Sequence, residues 1–367
     1  MKIVILSNFG MGLIKFRKEL IESFLRNGDE VIVSFPRDEY AKKIEELGCR
    51  FIHTDVDRKG KNILKDLNLI KEYFKIAKAE KPDIILTYTI KPNLYGGIIS
   101  AVLNIRYISN ITGLGNAILS EGLLSKIIIG FYRRSLKKAQ TVFFQNSSNL
   151  KFFDDRQIYL GDSILIPGSG VNIDQFEYLE YPKHTETLNF LFIGRLMRSK
   201  GIDELLLAIE YIQNNYNSIK FHLVGFCEEN YEEKLRKFQD KGLLVFHGQQ
   251  DNIIPFMQQA NAIIQPSHHE GMSNVLLEAA ACGRPILASD IPGCKETFDE
   301  GESGLSFIPN NSESLITTIE KFIEMAYDEK KKMGINGRKK IEREFNREVI
   351  VDSYKNEIYK NRGGKHE

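Results

Sequence analysis

The sequence predicts an α/β protein built as two doubly wound parallel-sheet domains, on three observations. Short apolar, β-rich runs alternate with amphipathic helical stretches along the chain, the pattern of strands joined by helical crossovers. The alternation breaks once, at the polar, aperiodic residues 174–187 (DQFEYLEYPKHTET), and restarts at residues 190–194 (FLFIG). The length, 367 residues, allows two domains at roughly 150 residues each.

Taken in order, residues 2–7 (KIVILS) form a buried-strand run, followed by Gly10, Gly12 and a helical pattern through Leu25 that Gly28 stops. Further strands are expected at 30–34, 83–87, 106–109, 141–144 and 163–166, the last running into the turn cluster Pro167-Gly168-Ser169-Gly170. The second series places strands at 190–194, 220–224, 243–246, 262–265 and 285–288. Residues 327–340 (YDEKKKMGINGRKK) read as a solvated pair of helices around Gly334 and Gly337, and 347–359 as a final helix whose aromatic residues dock on a core. The expected division is a first domain over 1–172, a linker over 173–187 and a second domain over 188–346. Open parallel sheets bind ligands beyond the carboxyl ends of their strands, so the chemistry is expected in a cleft across which the two domains face.

Composition narrows the class. Lys+Arg is 50 and Asp+Glu 49, a formal net charge of +1, which argues against a dedicated nucleic-acid binder and an acidic disordered tail. No apolar run approaches the roughly 18 residues of a membrane-spanning helix. The opening MKIVILSNFG lacks the charged, apolar, then small-residue pattern of a signal peptide. Cys49, Cys227, Cys282 and Cys294 show no paired spacing, so they fit neither a disulfide framework nor a zinc site and point to a reducing cytoplasm.

Two constellations point to chemistry. His268-His269-Glu270-Gly271-Met272-Ser273-Asn274 follows an apolar strand and opens a helix that carries Glu278 and ends at Gly283. A helix N-terminus offers unpaired N–H groups and positive potential to an anion. Gly271 permits close backbone approach, Ser273 and Asn274 add polar side chains, and a carboxylate such as Glu278 can accept both hydroxyls of a ribose. The same spacing also fits Glu270 as an N-terminal cap and Glu278 as a surface carboxylate. The second constellation is Gly194-Arg195, then Lys200-Gly201, after the first strand of the second series. Two such cations can clamp a diphosphate; alone, they also fit a solvated turn.

Gly-Arg, four residues, Lys-Gly, and then Glu-Gly-x-x-Asn-x-x-x-Glu resemble the retaining glycosyltransferases of family four, and the resemblance spans the chain. It implies the GT-B fold, with the 347–360 helix crossing back to the first domain. Residues 110–115 (NITGLG) and 91–96 (KPNLYG) are similar to enzymes of capsule, O-antigen and bacterial glycan assembly. Those move an N-acetylated hexosamine from a UDP-sugar to a polyprenyl-diphosphate-linked sugar. By this resemblance Arg195 and Lys200 bind the donor diphosphate and stabilise charge on the departing UDP, Glu278 holds the ribose, and Glu270 faces the donor sugar. Gly194, Met272 and the backbone of Gly271 to Asn274 complete the donor side. Gly10 and Gly12 let the first loop approach donor phosphates and acceptor. No metal and no resident cofactor are implied, and the sequence has no evident Asp-x-Asp site. Many relatives carry a histidine after the strand at 106–109, where this chain has Asn110-Ile111-Thr112. No side-chain base is therefore named, and by the resemblance Asn110 and Thr112 are assigned to the acceptor side.

Residues 122–139 (GLLSKIIIGFYRRSLKKA) read as a basic amphipathic helix. Leu124, Ile127, Ile128, Phe131 and Tyr132 fall on one side and Lys126, Arg133, Arg134 and Lys137 on another, a pattern suited to an anionic membrane surface and equally to a helix packed on its sheet. With a lipid-linked acceptor implied, the expectation is a cytoplasmic protein held peripherally on the inner face of the cell membrane. Two rivals stay open: a GT-B UDP-sugar 2-epimerase, and a catalytically silent nucleotide-sugar-binding subunit of a polysaccharide assembly complex. A Rossmann dehydrogenase is disfavoured because neither half has Gly-x-Gly-x-x-Gly between strand and helix.

Overall fold

The computed structural model describes residues 1–57, 62–114, 118, 122–184 and 187–360. Gly115 and the tail 361–367 lie outside the described residues. Chain contacts divide the protein into two units, Met1–Ser169 with the segment from Arg347, and Gly170–Asn346.

The first unit holds a seven-stranded sheet among the described residues, ordered β3-β2-β1-β4-β5-β6-β7. Its strands are β1 (Lys2–Leu6), β2 (Glu30–Phe35), β3 (Arg50–His53), β4 (Ile84–Tyr88), β5 (Arg106–Ile111), β6 (Thr141–Phe144) and β7 (Ser163–Leu165). Every pairing is parallel, as in Ile3 opposite Val31 and Ile84. The central strands are apolar without alternation because helices cover both faces. The second unit repeats the plan with β8 (Leu188–Ile193), β9 (Ile219–Val224), β10 (Val245–Phe246), β11 (Ala262–Gln265), β12 (Ile286–Ser289) and β13 (Gly304–Phe307), ordered β10-β9-β8-β11-β12-β13. Strand order reverses between β1 and β4 and between β8 and β11. Such reversals open the crevices where doubly wound sheets bind ligands.

β3 and β13 have no counterpart in the sequence-predicted strands, and β5 runs two residues further than predicted. Residues 327–340 form one helix, Tyr327–Lys340, rather than the expected solvated pair. A Cβ at Gly334 would stand 2.1 Å from the Gly283 carbonyl oxygen, so this glycine admits a neighbouring backbone and does not break the helix. Nor is that helix merely solvated: buried Lys330 donates to the Ile323 carbonyl and buried Lys340 pairs with Asp299 and Glu344.

Residues 173–184, read as a linker, lie against the second unit. Tyr181 donates its hydroxyl to the Asn261 carbonyl, and fully buried Arg284 donates to the carbonyls of Glu180, Met257 and Gly283. The last helix, Arg347–Tyr359, completes the first unit. Tyr354 stacks on Phe143 at 4.4 Å, Glu357 accepts from Thr141 at 2.7 Å, and Arg347 pairs with Glu19.

Candidate functional site

The site in the second unit is built from the segments that follow β8, β11 and β12, three adjacent strands. After β8 the chain makes a short 3-10 turn, Arg198–Lys200, and Gly201 opens the helix Ile202–Asn215. Gly201 has φ 71, and a Cβ there would lie 1.9 Å from the Pro266 carbonyl oxygen. Only glycine tolerates both, so the turn presses directly onto the chain leaving β11. The backbone bond from His268 N–H to the Ser199 carbonyl, 3.0 Å, ties the same two segments.

That approach sets Lys200 on Glu270: the ammonium and Oε1 of the carboxylate are joined in an ion pair. Their side chains are 16% and 12% exposed. Ser267 donates to the same Oε1 at 2.8 Å, and Gln265 Nε2 lies 3.4 Å from it. Gly293, after β12, has φ 86 and would bring a Cβ within 2.8 Å of the Glu270 carbonyl oxygen. Its own carbonyl accepts from Ser273 N–H at 2.8 Å. Thus one of the N–H groups expected to face a ligand is spent inside the protein. Beneath the pair, burial pushes the Cys294 thiol well above its ordinary range, with the Glu270 charge adding to the effect, so this sulfur is an inert packing group.

The helix Asn274–Ala281 starts there, with Ser273 at its N-cap and buried. Met272 is buried as well, whereas Asn274 keeps Oδ1 buried without a partner. Glu278 lies one turn along, half-buried. Arg195 does not join Lys200: its guanidinium pairs with Glu228, from the segment after β9. Of the two adjacent histidines, His268 turns to Glu204 at 3.2 Å and His269 is exposed.

In the first unit the candidates divide. Asn110, expected at the acceptor, lies inside β5 and is 1% exposed. Its Nδ2 donates to the Thr87 carbonyl at 2.9 Å, and its Oδ1 accepts from Tyr354. It braces strand and last helix, because β5 continues past the predicted end. Thr112, just beyond the strand, is half-buried. Gly10 and Gly12 are hemmed in by their own unit. A Cβ on Gly10 would meet Phe35 at 2.6 Å and Asp38 at 2.7 Å, and one on Gly12 would meet Phe9 at 2.8 Å. Asp38 also accepts from Gly10 N–H at 2.9 Å, placing a carboxylate of the chain at the start of the helix Gly10–Arg26. In the helix Leu123–Leu136, the apolar side is split, contrary to a single stripe. Tyr132 and Leu136 are buried, whereas Leu124, Ile127 and Phe131 are exposed. Lys126, Arg134 and Lys137 are exposed with them, and exposed Arg133 donates to the Arg156 carbonyl. Among the described residues no helix is long and apolar enough to cross a membrane.

Sequence reasoning missed Gln265, Ser267, Glu228 and Gly293. The Pro292-Gly293 dipeptide is a turn signal, but nothing local tells that Ser267 reaches Glu270.

The two parallel-sheet units and the matches to known proteins make the chain a family-four-like glycosyltransferase of GT-B type. Residues 177–340 match the family described as glycosyl transferases group 1, and residues 2–146 match the family glycosyl transferase 4-like. The chain is 28% identical to the N,N'-diacetylbacillosaminyl-diphospho-undecaprenol alpha-1,3-N-acetylgalactosaminyltransferase of Campylobacter jejuni, covering 91% of this chain and 92% of that one. It is 25% identical to the capsular polysaccharide biosynthesis glycosyltransferase CapM of Staphylococcus aureus, over 88% and 90%. In fold it matches the sucrose-phosphate synthase of Thermosynechococcus elongatus with a TM-score of 0.80 at 20% identity, covering both chains fully (100% and 100%). Anabaena HepE in complex with UDP matches with a TM-score of 0.78 at 17% identity, over 98% and 100% of the two chains.

Proposed function

We propose that this glycosyltransferase moves an N-acetylhexosamine, with retention and in α-linkage, from a UDP-sugar to a sugar carried on polyprenyl diphosphate, in bacterial surface-polysaccharide or glycan assembly. The observation that carries the reading is the Lys200–Glu270 pair where strand order reverses in the second sheet, directly before the Asn274–Ala281 helix. The Campylobacter relative, named for a diphospho-undecaprenol substrate, supports the acceptor class, and CapM supports the setting in polysaccharide assembly.

In this reading each cation waits on a carboxylate of the protein, Lys200 on Glu270 and Arg195 on Glu228. The donor diphosphate displaces or shares these carboxylates, and the two cations stabilise charge as UDP departs. Glu270 then accepts from the donor sugar, and Glu278 accepts ribose hydroxyls. A donor phosphate oxygen takes the acceptor proton while the sugar passes through a short-lived oxocarbenium-like species, so no side-chain base is needed. The charge neutralisation is assigned to the protein, with no metal. The acceptor's lipid is met by the exposed Leu124, Ile127 and Phe131 row, bordered by Lys126, Arg134 and Lys137. Apolar side chains inserted beneath anionic headgroups, with basic residues above them, form a peripheral membrane contact.

The test is UDP release from a panel of UDP-sugars, with and without a polyprenyl-diphosphate-linked N-acetylhexosamine, in the presence of a chelator. Acceptor-dependent release from one sugar, unaffected by chelation, is the expected result. An isomerised nucleotide sugar without release would replace the reading with the 2-epimerase. Silence with every donor would favour the non-catalytic subunit.

A further inference from the structure

We infer that Gln265 and Ser267 are positioning residues that make Glu270 a one-sided acceptor, with Oε1 spent inside the protein and Oε2 kept for a single hydroxyl of the donor sugar. This rests on Glu270 being the carboxylate that faces that sugar.

Gln265 ends β11 and is 2% exposed, and Ser267 is 0% exposed. Gln265 Nε2 donates to Ser267 Oγ at 2.8 Å, and Ser267 Oγ donates to Glu270 Oε1 at 2.8 Å. The direction of this relay is fixed chemically. An ionised carboxylate only accepts, an amide nitrogen only donates, and the hydroxyl between them does one of each. The opposite amide orientation would aim a carbonyl oxygen at the carboxylate. Successive bonds of this kind polarise one another in a buried setting. With Lys200 added, Oε1 takes donors from three side chains, whereas Oε2 takes none among the described residues.

A second observation shows what Gln265 is there to do. Its own Oε1 is buried without a partner, a cost that an apolar residue at the end of β11 would avoid. The strand keeps an amide because its donor end serves the relay. A carboxylate left free to rotate could offer either oxygen to hydroxyls in several positions. Pinned by one oxygen, it presents the other at one point and rewards one hydroxyl position. Sites built to hydrogen-bond a hydroxyl discriminate strongly against analogues that lack it.

The experiment uses the full chain, steady-state UDP release with its best UDP-sugar and the monodeoxy analogues of that sugar, and a thermal melt of every variant. Glu270→Ala should lower kcat about 100-fold and erase discrimination against one monodeoxy analogue. Ser267→Ala should lower kcat about tenfold, leave the donor KM within about twofold, and shrink the penalty for that same analogue at least about threefold, since one charge-assisted hydrogen bond is removed. Ser267→Thr, which retains the hydroxyl, should recover most of the loss. Gln265→Met, which keeps volume and removes the donor, should shift discrimination in the same direction and guards against a threonine that does not fit. If Glu270→Ala is damaging while Ser267→Ala and Gln265→Met leave kcat and discrimination within about twofold, the relay is structural and the inference fails alone. Loss of kcat and melting temperature together, with discrimination intact, would overturn it equally. A silent Glu270→Ala would remove the reading of Glu270 and the inference with it.

Discussion

At the scale of single residues, position 200 and position 201 separate chemistry from architecture. Lys200→Ala removes a cation whose carboxylate partner retains Ser267 and Gln265. Turnover should fall about 100-fold or more while stability falls by only about 1–2 kcal/mol, read as kcat against melting midpoint; equal losses would make the lysine structural. Gly201→Ala should do the reverse, costing about 3 kcal/mol or more because the new side chain meets a left-handed backbone and a carbonyl at once. Denaturant unfolding measures that cost. Lys200, Gly201 and Glu270 stood out in the sequence because Lys-Gly and the spacing from Glu270 to Glu278 are local patterns; that Lys200 pairs with Glu270 and that Gly201 meets Pro266 did not. Asn110 was misread for a physical reason. Its role depends on Tyr354, which lies 244 residues away, and no window of sequence contains both. Ser267 was unreadable for a different reason: its partners Gln265 and Glu270 are its near neighbours in sequence, but its hydroxyl direction is set only after the strand end has folded.

Among the elements, long buried strands were legible and short or half-exposed ones were not. β11 matches its predicted span, because four buried apolar or amide residues bounded by Pro266 can hardly be anything else. β3 (RFIH) carries an exposed residue at each end, and β13 begins with glycine; neither gives the apolar run that marks a central strand. The Tyr327–Lys340 helix was misread because its glycines serve packing instead of a turn, Gly334 against Gly283 and Gly337 against Ala280 and Ser303. One pair of strands also carries a titration. His222 on β9 and His247 just after β10 stack with ring nitrogens 3.0 Å apart. The pKa of His222 is lowered by burial, then by His247 and Lys220, and that of His247 by burial. The unfolded chain therefore binds protons more readily than the folded one. Stability is at its plateau above the ordinary histidine value of about 6.5 and falls as pH drops through it. Melts at pH 7.5 and pH 5.5 should show the decline, and His222→Gln should lessen it; a flat profile in the parent would contradict the assignment.

Over the whole molecule, near-zero net charge means that attraction to an anionic membrane must come from local placement. Changing Arg133, Arg134 and Lys137 together to Glu should weaken binding to phosphatidylserine-containing vesicles about 100-fold or more, at about 1 kcal/mol per basic residue. UDP-sugar hydrolysis without acceptor should survive; unchanged vesicle binding would remove the membrane contact from the proposal. The two-unit plan was legible because the βα alternation visibly restarts. The docking of residues 173–184 was not, because Arg284 and Arg338 draw that polar stretch onto the second unit through backbone carbonyl groups that any sequence possesses. The return of the Arg347–Tyr359 helix has a consequence for synthesis. Most of the first unit is translated before the second, yet the surface around Phe143 and Asn110 waits for Tyr354. A nascent chain must carry that uncovered apolar face through the making of the entire second unit, a window in which collapse onto the wrong partner competes with correct closure. Residues 1–169 made alone should bind a hydrophobic dye and aggregate, and a peptide of residues 347–360 supplied in trans should suppress both. Of the two units, the one begun earlier is the one finished later.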